Sequence, residues 1–166
     1  ADELYKEMLE LEWDKKALMR GVVKNKNARY NLCFGNFTQE PNYTEGKGRV
    51  YNVADLRQLT TMKKTLDEVL EMNTQVEGNY YYDLKKCGIG YHGDAERLKT
   101  VGVRLGNSFP ICYRLYQNSE IISETMEIML DHGDIYIMSE KTTGNDWKKR
   151  KIVTYRHAAG CNKYIK

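Results

Sequence analysis

The chain has few of the features that mark membrane, secreted or zinc-binding proteins. No apolar run approaches the ~20 residues of a membrane span, and the first residues show no basic-then-apolar signal pattern. Its four cysteines are far apart, and no Cys-x-x-Cys pair suggests a zinc knuckle or a thioredoxin motif. We therefore expect free thiols in a reducing compartment, the cytoplasm or the nucleus, with two disulfides as the alternative.

Basic side chains outnumber acidic side chains only slightly. The 26 basic and 23 acidic side chains give a net charge of +3, which permits nucleic-acid binding without requiring it. Phenylalanine is also scarce, with 3 residues against 13 tyrosines. Tyrosine suits half-exposed strands and polar pockets, because its ring packs while its hydroxyl finds a hydrogen-bond partner. A length of 166 residues favours one globular domain.

Apolar spacing predicts two helices in the first half of the chain. The first covers residues 2–13, and the second, stronger one covers residues 55–72 with Asp55 as its N-terminal cap. The region between them, residues 35–48, is rich in Gly, Asn and Thr and is typical of a loop. The apolar stripe of the second helix consists of Leu59, Met62, Leu66, Val69 and Leu70.

From residue 76 onward the pattern changes to short strands separated by Gly, Asn, Pro and Asp. The predicted strands are 76–82, 88–92, 100–105, 109–116, 125–130, 134–138 and 152–155. Helices followed by many short strands predict an α+β fold, specifically a double-stranded β-helix (jelly roll) with the N-terminal helices bracing one sheet.

The most informative motif is His92-Gly93-Asp94, at the end of a predicted strand. Residues two apart on a strand point to the same side, so the imidazole and the carboxylate face one pocket. They can supply two ligands of a facial His/carboxylate/His iron site, which leaves open positions for a co-substrate and for O₂.

Five segments, in this order, resemble motifs of the AlkB-like iron and 2-oxoglutarate dioxygenases. Residues 28–35 resemble the arginine-to-glycine segment of the family's nucleotide-recognition region. Residues 79–81 and 89–94 resemble its central motif, 103–108 the strand and turn that follow, and 130–138 a later Gly-Asp strand. Each segment alone is unspecific, whereas their common order is much more specific.

The resemblance implies one dioxygenase domain over residues 1–166, with helical support and a substrate lid in 1–75 and a jelly-roll catalytic core in 76–166. It implies that His92 and Asp94 bind Fe(II), and that Asn79 and Tyr81 hydrogen-bond 2-oxoglutarate. The implied activity hydroxylates or oxidatively demethylates a substrate while 2-oxoglutarate and O₂ are consumed.

The family precedent makes a modified or alkylated base of DNA or RNA the first substrate to consider, flipped out or single-stranded. Side chains of the expected lid are then candidates for stacking or phosphate contacts. These are Arg29, Tyr30, Tyr43, Arg49 and Tyr51. Alternatives are the same chemistry on a protein side chain or a free small molecule, and a degenerate, non-catalytic binding module.

The third ligand departs from the family pattern. The family usually places a histidine two residues after a tryptophan, but Trp147 is followed by two lysines. The histidine that remains downstream is His157. The family also ends with two arginines six residues apart, which Arg150 and Arg156 match and which would hold 2-oxoglutarate.

Arg156 and His157 compete for one position, because neighbours on a regular strand face opposite sides. If Arg156 faces the pocket, the iron site lacks a third protein ligand. If His157 faces it, the triad is complete, and Lys163, Lys166 or Arg150 must hold the carboxylate. We favour His157 as the ligand. We interpret the remaining histidine, His132 in a second His-Gly-Asp string, as a surface residue.

Overall fold

The computed structural model describes residues 1–166, which form two compact units. The N-terminal unit is Asp2–Tyr82, and the C-terminal unit is Asp83–Lys166 with Ala1. Four α-helices and twelve strands confirm the predicted α+β class. None of the helices combines the length and the apolar character that crossing a membrane requires.

The N-terminal unit contains more strand than the sequence analysis predicts. Its helices are α1 (Asp2–Leu9) and α2 (Arg57–Leu70), with 3₁₀ turns at Tyr43–Glu45 and Val53–Asp55. Its strands are β1 (Lys16–Met19), β2 (Val22–Asn25), β3 (Tyr30–Gly35), β4 (Val50–Asn52) and β5 (Val76–Tyr80). Strands β1 and β2 form a hairpin, and β3 pairs in parallel with β4 and antiparallel with β5.

Two expectations for α2 are wrong. Asp55 does not cap the helix, because the N-cap position is Leu56, which has no capping side chain. Instead, the Glu7 carboxylate of α1 accepts hydrogen bonds from the backbone N–H groups of Gln58 and Leu59, each at 2.9 Å. Val69 is 73% exposed and lies off the packed face that Leu59 anchors. A tertiary contact thus replaces the local cap, since either can satisfy free N–H groups at a helix start.

We expect Glu7→Ala to destabilise the protein by about 1–2 kcal/mol, the range for loss of a helix cap. The measurement is the free energy of unfolding in urea. Glu3→Ala is the matched control on the same helix, since Glu3 forms only an exposed pair with Lys6 and such pairs contribute about 0–1 kcal/mol. Equal losses in the two variants would contradict the capping role.

A second carboxylate fixes the other end of α2. Asp67 pairs with Lys63 one turn earlier and accepts hydrogen bonds from the backbone N–H of Thr74 at 2.8 Å and from its hydroxyl at 2.6 Å. The hydrogen bonds from Lys63 and Thr74 lower the pKa of Asp67 to about 2. The carboxylate therefore ties the helix to the segment that leads into β5.

This contact predicts a pH-dependent contribution to stability. Because the folded-state pKa of Asp67 is below its unfolded value of about 3.9, its stabilisation is complete above pH ~4 and is lost as the pH falls toward 2. The difference in unfolding free energy between the wild type and Asp67→Asn should be largest at neutral pH and shrink over that window. A difference that is constant with pH would contradict the assignment.

All seven strands predicted from residue 76 onward are confirmed. The first is β5 of the N-terminal unit, and the other six lie in the C-terminal unit, which adds the short, unpredicted strand Glu120–Ile121. The strands of this unit are β6 (Gly88–His92), β7 (Thr100–Val103), β8 (Phe109–Gln117), β9 (Glu120–Ile121), β10 (Met126–Leu130), β11 (Ile135–Met138) and β12 (Thr154–Gly160). Two short helices, α3 (Glu140–Thr143) and α4 (Asn162–Ile165), complete it.

The main sheet has the order β10-β8-β12-β6, with β9 added beside β8, and it curls into a half-barrel. Strands β7 and β11 pair separately. Because neighbouring residues of β8 point to opposite faces of the main sheet, this strand contributes to the packing on both faces. Ile111 packs with Leu130 and Met138, whereas its neighbour Cys112 packs with Ala158 and Ile165. The last strand, β12, runs five residues beyond its predicted end, and this extension carries His157.

Candidate metal centre

His92 ends β6 with its side chain in a defined orientation. Its Nδ1 lies 2.8 Å from the carbonyl oxygen of Gly90, two residues earlier on the strand. A carbonyl can only accept, so Nδ1 carries the proton and donates it. The lone pair of the neutral ring is therefore on Nε2, the atom that faces Asp94. Second-shell contacts of this kind fix the tautomer of metal-binding histidines.

Asp94 follows the strand and is held by backbone contacts. Its N–H donates to the carbonyl oxygen of Thr143 at 2.9 Å. Gly93 makes this approach possible, because a Cβ there would lie 2.5 Å from the carbonyl oxygen of Gly144 and 2.7 Å from Trp147. Gly144 is equally restricted, with φ of 73° and its ideal Cβ 2.9 Å from the Gly93 Cα. Packing therefore requires glycine as the middle residue of the His-Gly-Asp motif.

His157 completes the cluster from β12. It is the direct register partner of His92, and the two ring centroids are 4.3 Å apart. The Asp94 carboxylate bridges them, with 3.7 Å from Oδ1 to His92 Nε2 and 3.7 Å from Oδ2 to His157 Nε2. One ligand atom from each residue lies within 4.8 Å of the others. The structure therefore brings together all three residues chosen from the sequence.

The electrostatics of His157 favour a neutral ring. Its side chain is 8% exposed. Burial, reinforced by the neighbouring His92, lowers the pKa of His157, and the Asp94 carboxylate opposes this only in part. Its Nδ1 is buried without a hydrogen-bond partner. A neutral imidazole is the form that binds a metal ion.

Arg156, the competitor of His157, lies over aromatic rings. Its guanidinium carbon is 4.1 Å from the ring centroid of Tyr116 and 5.5 Å from that of Trp147. This follows from strand alternation, since His157 occupies the side that faces His92. Arg150 is exposed, and its carbonyl oxygen accepts a hydrogen bond from Asn118 N–H.

Sequence reasoning missed Arg97, which contacts the cluster. Its Nη1 lies 3.5 Å from Asp94 Oδ2, and its side chain is 36% exposed. The main chain of Arg97 is anchored as well, because its carbonyl oxygen accepts from Thr143 Oγ1 at 3.3 Å and from Asn145 Nδ2 at 3.1 Å. Arg97 follows Asp94 by three residues in the sequence. Because both residues come after a strand and not in a helix, this spacing alone did not predict a contact between their side chains.

The two residues expected to bind 2-oxoglutarate, Asn79 and Tyr81, belong to the N-terminal unit. Asn79 lies on β5, opposite Asn31 of β3. Its side-chain oxygen accepts hydrogen bonds from Arg29 Nε at 2.8 Å and from Asn31 Nδ2 at 2.6 Å. Tyr81 follows β5 and is half-buried. Alternation places Asn79 on the side of β5 opposite to Tyr80.

Three of the five lid candidates have structural roles. The Tyr43 hydroxyl donates to Asp14 at 2.7 Å, and the Tyr51 hydroxyl accepts from the Glu12 N–H at 3.0 Å. The Arg49 side chain is 11% exposed and forms ion pairs with Glu12 and Glu40. Arg29 is held by Asn79, whereas the Tyr30 ring lines an open cleft.

His132 is exposed, as predicted, and its Nδ1 accepts from the Gly106 N–H at 2.8 Å. The turn after it has Gly133 at φ of 93° and leads into β11. The second His-Gly-Asp string is therefore a turn motif outside the three-residue cluster.

No family model matches the chain. Over 167 aligned residues, the chain is 54% identical to an uncharacterized protein of Acanthamoeba polyphaga mimivirus, and the match covers the whole chain. The chain spans 66% of the length of that relative. Neither comparison assigns an activity to the chain.

The packing of Gly93 yields a test of the cluster. Gly93→Ala should weaken metal binding by about 10–100-fold, as loss of an outer-shell support does, because the added Cβ would displace Gly144 or Trp147 and with them Asp94. Gly90→Ala is the matched control on the same strand, since nothing lies within 4 Å of an added Cβ there. Anaerobic Fe(II) titration measures both, and equal affinities would contradict the packing argument.

Proposed function

We propose that the chain is an Fe(II)- and 2-oxoglutarate-dependent dioxygenase with a jelly-roll core. The observation that carries the proposal is the convergence of His92, Asp94 and His157 from two paired strands and the turn after one of them. Two imidazoles and one carboxylate match the 2-His-1-carboxylate set that non-haem Fe(II) oxygenases use. The resemblance to the AlkB-like family in five ordered segments supports the same assignment.

The residues around the cluster suit a ligand set for a divalent ion. The Gly90 carbonyl holds the His92 proton on Nδ1, so that Nε2 can bind the metal. The Thr143 carbonyl restrains the main chain of Asp94, and Arg97 restrains its carboxylate. The Nδ1 atom of His157 is buried without a hydrogen-bond partner, so no hydrogen bond there fixes the tautomer of that ring. When bound, Fe(II) would supply the open positions at which 2-oxoglutarate and O₂ react.

Tyrosine side chains near the cluster offer hydroxyl groups. Tyr113 lies opposite His157 in the β8–β12 register, and its ring centroid is 6.4 Å from that of His157. Tyr113 and Tyr136 pack against the apolar cluster of Ile111, Leu130 and Met138. Burial raises the pKa of Tyr113 to about 12, so its hydroxyl remains a proton donor at neutral pH. Such a group can orient an anionic co-substrate.

The chain differs from the family pattern in the cation that would hold the co-substrate carboxylate. Arg156 lies over the rings of Tyr116 and Trp147, and Arg150 is exposed. Arg97 places a guanidinium group at the cluster, and guanidinium binds carboxylates bidentately. We propose Arg97 for this role.

The substrate that we propose is a modified or alkylated nucleic-acid base. Hydroxylation of an N-alkyl carbon gives a product that releases the alkyl group as an aldehyde. A base must leave a duplex stack, or come from a single strand, to reach such a centre.

The three histidines of the chain allow a controlled test of the metal centre. Anaerobic Fe(II) with 2-oxoglutarate should give a visible absorption band, and His92→Ala and His157→Ala should abolish it. Because they remove ligands, their effect should exceed the ~10–100-fold loss that outer-shell changes cause. His132→Ala, in the other His-Gly-Asp string, should retain the band.

Succinate formation in air, with and without an alkylated oligonucleotide, provides the second readout. A band that survives His157→Ala would remove His157 from the ligand set. No band and no succinate in the wild-type protein would contradict the dioxygenase assignment.

A further inference from the structure

We propose that Cys87 and Cys161 are a redox-active pair, which a small disulfide such as glutathione disulfide oxidises to a reversible intramolecular disulfide. The two residues stand immediately outside the strands that carry His92 and His157, Cys87 before β6 and Cys161 after β12. Both thiols are free. This inference goes beyond the proposed reaction, because thiol–disulfide exchange needs neither metal nor 2-oxoglutarate.

The register of β6 and β12 places the two cysteines opposite each other. The ladder between these strands ends with Gly160 opposite Gly88. In antiparallel register, the next partners are Cys161 and Cys87. A hydrogen bond supports this pairing, because the Cys161 N–H donates to the Cys87 carbonyl oxygen at 3.1 Å. Residues that face each other across an antiparallel pair project their side chains to the same side.

The separation of the two backbones suits a disulfide. The Cα atoms of a hydrogen-bonded antiparallel pair lie about 5.5 Å apart, and a disulfide spans Cα separations of about 4.4–6.8 Å. The backbones are in close contact one position earlier, since a Cβ on Gly160 would lie 2.5 Å from the Gly88 Cα. Oxidation therefore preserves the pairing of β6 with β12.

The other two cysteines have no cysteine as a register partner. Cys33 lies in the N-terminal unit, where its partners are Val50 and Glu77. Cys112 lies on β8, between β10 and β12, and is fully buried against Ala158. Burial raises the pKa of the Cys33 and Cys112 thiols, which lowers the fraction of reactive thiolate at both. Register therefore brings together one pair among the four cysteines.

The two thiols differ in access, which sets the order of the reaction. Cys161 is half-buried, whereas Cys87 is completely buried. The Cys161 thiolate therefore attacks one sulfur of glutathione disulfide, which forms a mixed disulfide and releases one glutathione thiolate. The Cys87 thiolate then attacks the Cys161 sulfur, and the second glutathione leaves. In total, two electrons and two protons pass from the two cysteines to the oxidant, which becomes two thiols.

The disulfide joins the two strands that hold the candidate metal centre. The loop that it closes contains every strand of the C-terminal unit, from β6 to β12. Closing a long loop restricts the unfolded chain and so stabilises the folded one. The oxidised chain should therefore resist unfolding more than the reduced chain.

The test treats the full chain with glutathione disulfide in the presence of a metal chelator. The chain carries Cys33→Ala, because the exposed Cys33 could react independently. Mass spectrometry after non-reducing digestion should identify a Cys87–Cys161 cross-link, and dithiothreitol should remove it. By circular dichroism, the oxidised chain should melt about 4–16 °C above the reduced chain, the range for one disulfide in a chain of this length.

Two further variants of that chain separate the roles of the thiols. Cys87→Ala should stop the reaction at the mixed disulfide, so that Cys161 keeps one bound glutathione. Cys161→Ala should stay unmodified, because the remaining Cys87 is buried. Neither variant should show the oxidation-dependent rise in melting temperature, and far-UV circular dichroism checks that each is folded. No intramolecular cross-link in the folded parent chain, or glutathione bound to Cys87 in folded Cys161→Ala, would overturn the inference.

The thiol pair and the proposed reaction can fail separately. His157→Ala removes a candidate metal ligand but no thiol, so it should still form the cross-link. The reduced Cys161→Ala chain should retain the absorption band with Fe(II) and 2-oxoglutarate. Failure of folded His157→Ala to form the cross-link would overturn the conclusion that strand register alone brings the two thiols together.

Discussion

The pairing of β12 with β6 is the constraint on which the candidate metal centre depends. It places His157 directly opposite His92, while Asp94 is carried by the turn that leaves β6. The register shifts after His157, between it and Ala159. Beyond the shift, Gly160 and Gly88 allow close contact of the two backbones, since a Cβ on Gly160 would lie 2.5 Å from the Gly88 Cα. A slip of one residue would turn Arg156 toward His92 instead.

The second half of the cluster depends on a backbone contact that only glycine permits. Gly93 and Gly144 meet closely, and the Thr143 carbonyl next to Gly144 holds the Asp94 N–H. The segment that follows β11 therefore positions a carboxylate that is almost fifty residues away in sequence. Main-chain geometry therefore places all three candidate ligands. Substitution of nearby side chains disturbs such an arrangement less than it would disturb a network of side chains.

The sequence predicted the C-terminal strands well because Gly, Asn, Pro and Asp separate them. It also selected His92, Asp94 and His157, although the choice between Arg156 and His157 needed the extended β12 and its register. The hairpin of β1 and β2 was missed because its strands have four residues each and mostly exposed side chains, so alternation carries little signal. Glu7 as the cap of α2 and Arg97 beside Asp94 were missed because tertiary contacts and turn geometry create them.

The two tryptophans of the chain share an arrangement with a practical use. Trp13 rests on Gly78 in the N-terminal unit, and Trp147 rests on Gly93 in the C-terminal unit. Each indole thus packs against the backbone of a glycine. Trp13 does so beside the cleft that Tyr30 lines, and Trp147 does so beside the metal cluster. Each unit carries one of the two tryptophans, so replacing either one leaves tryptophan fluorescence that reports on the other unit alone.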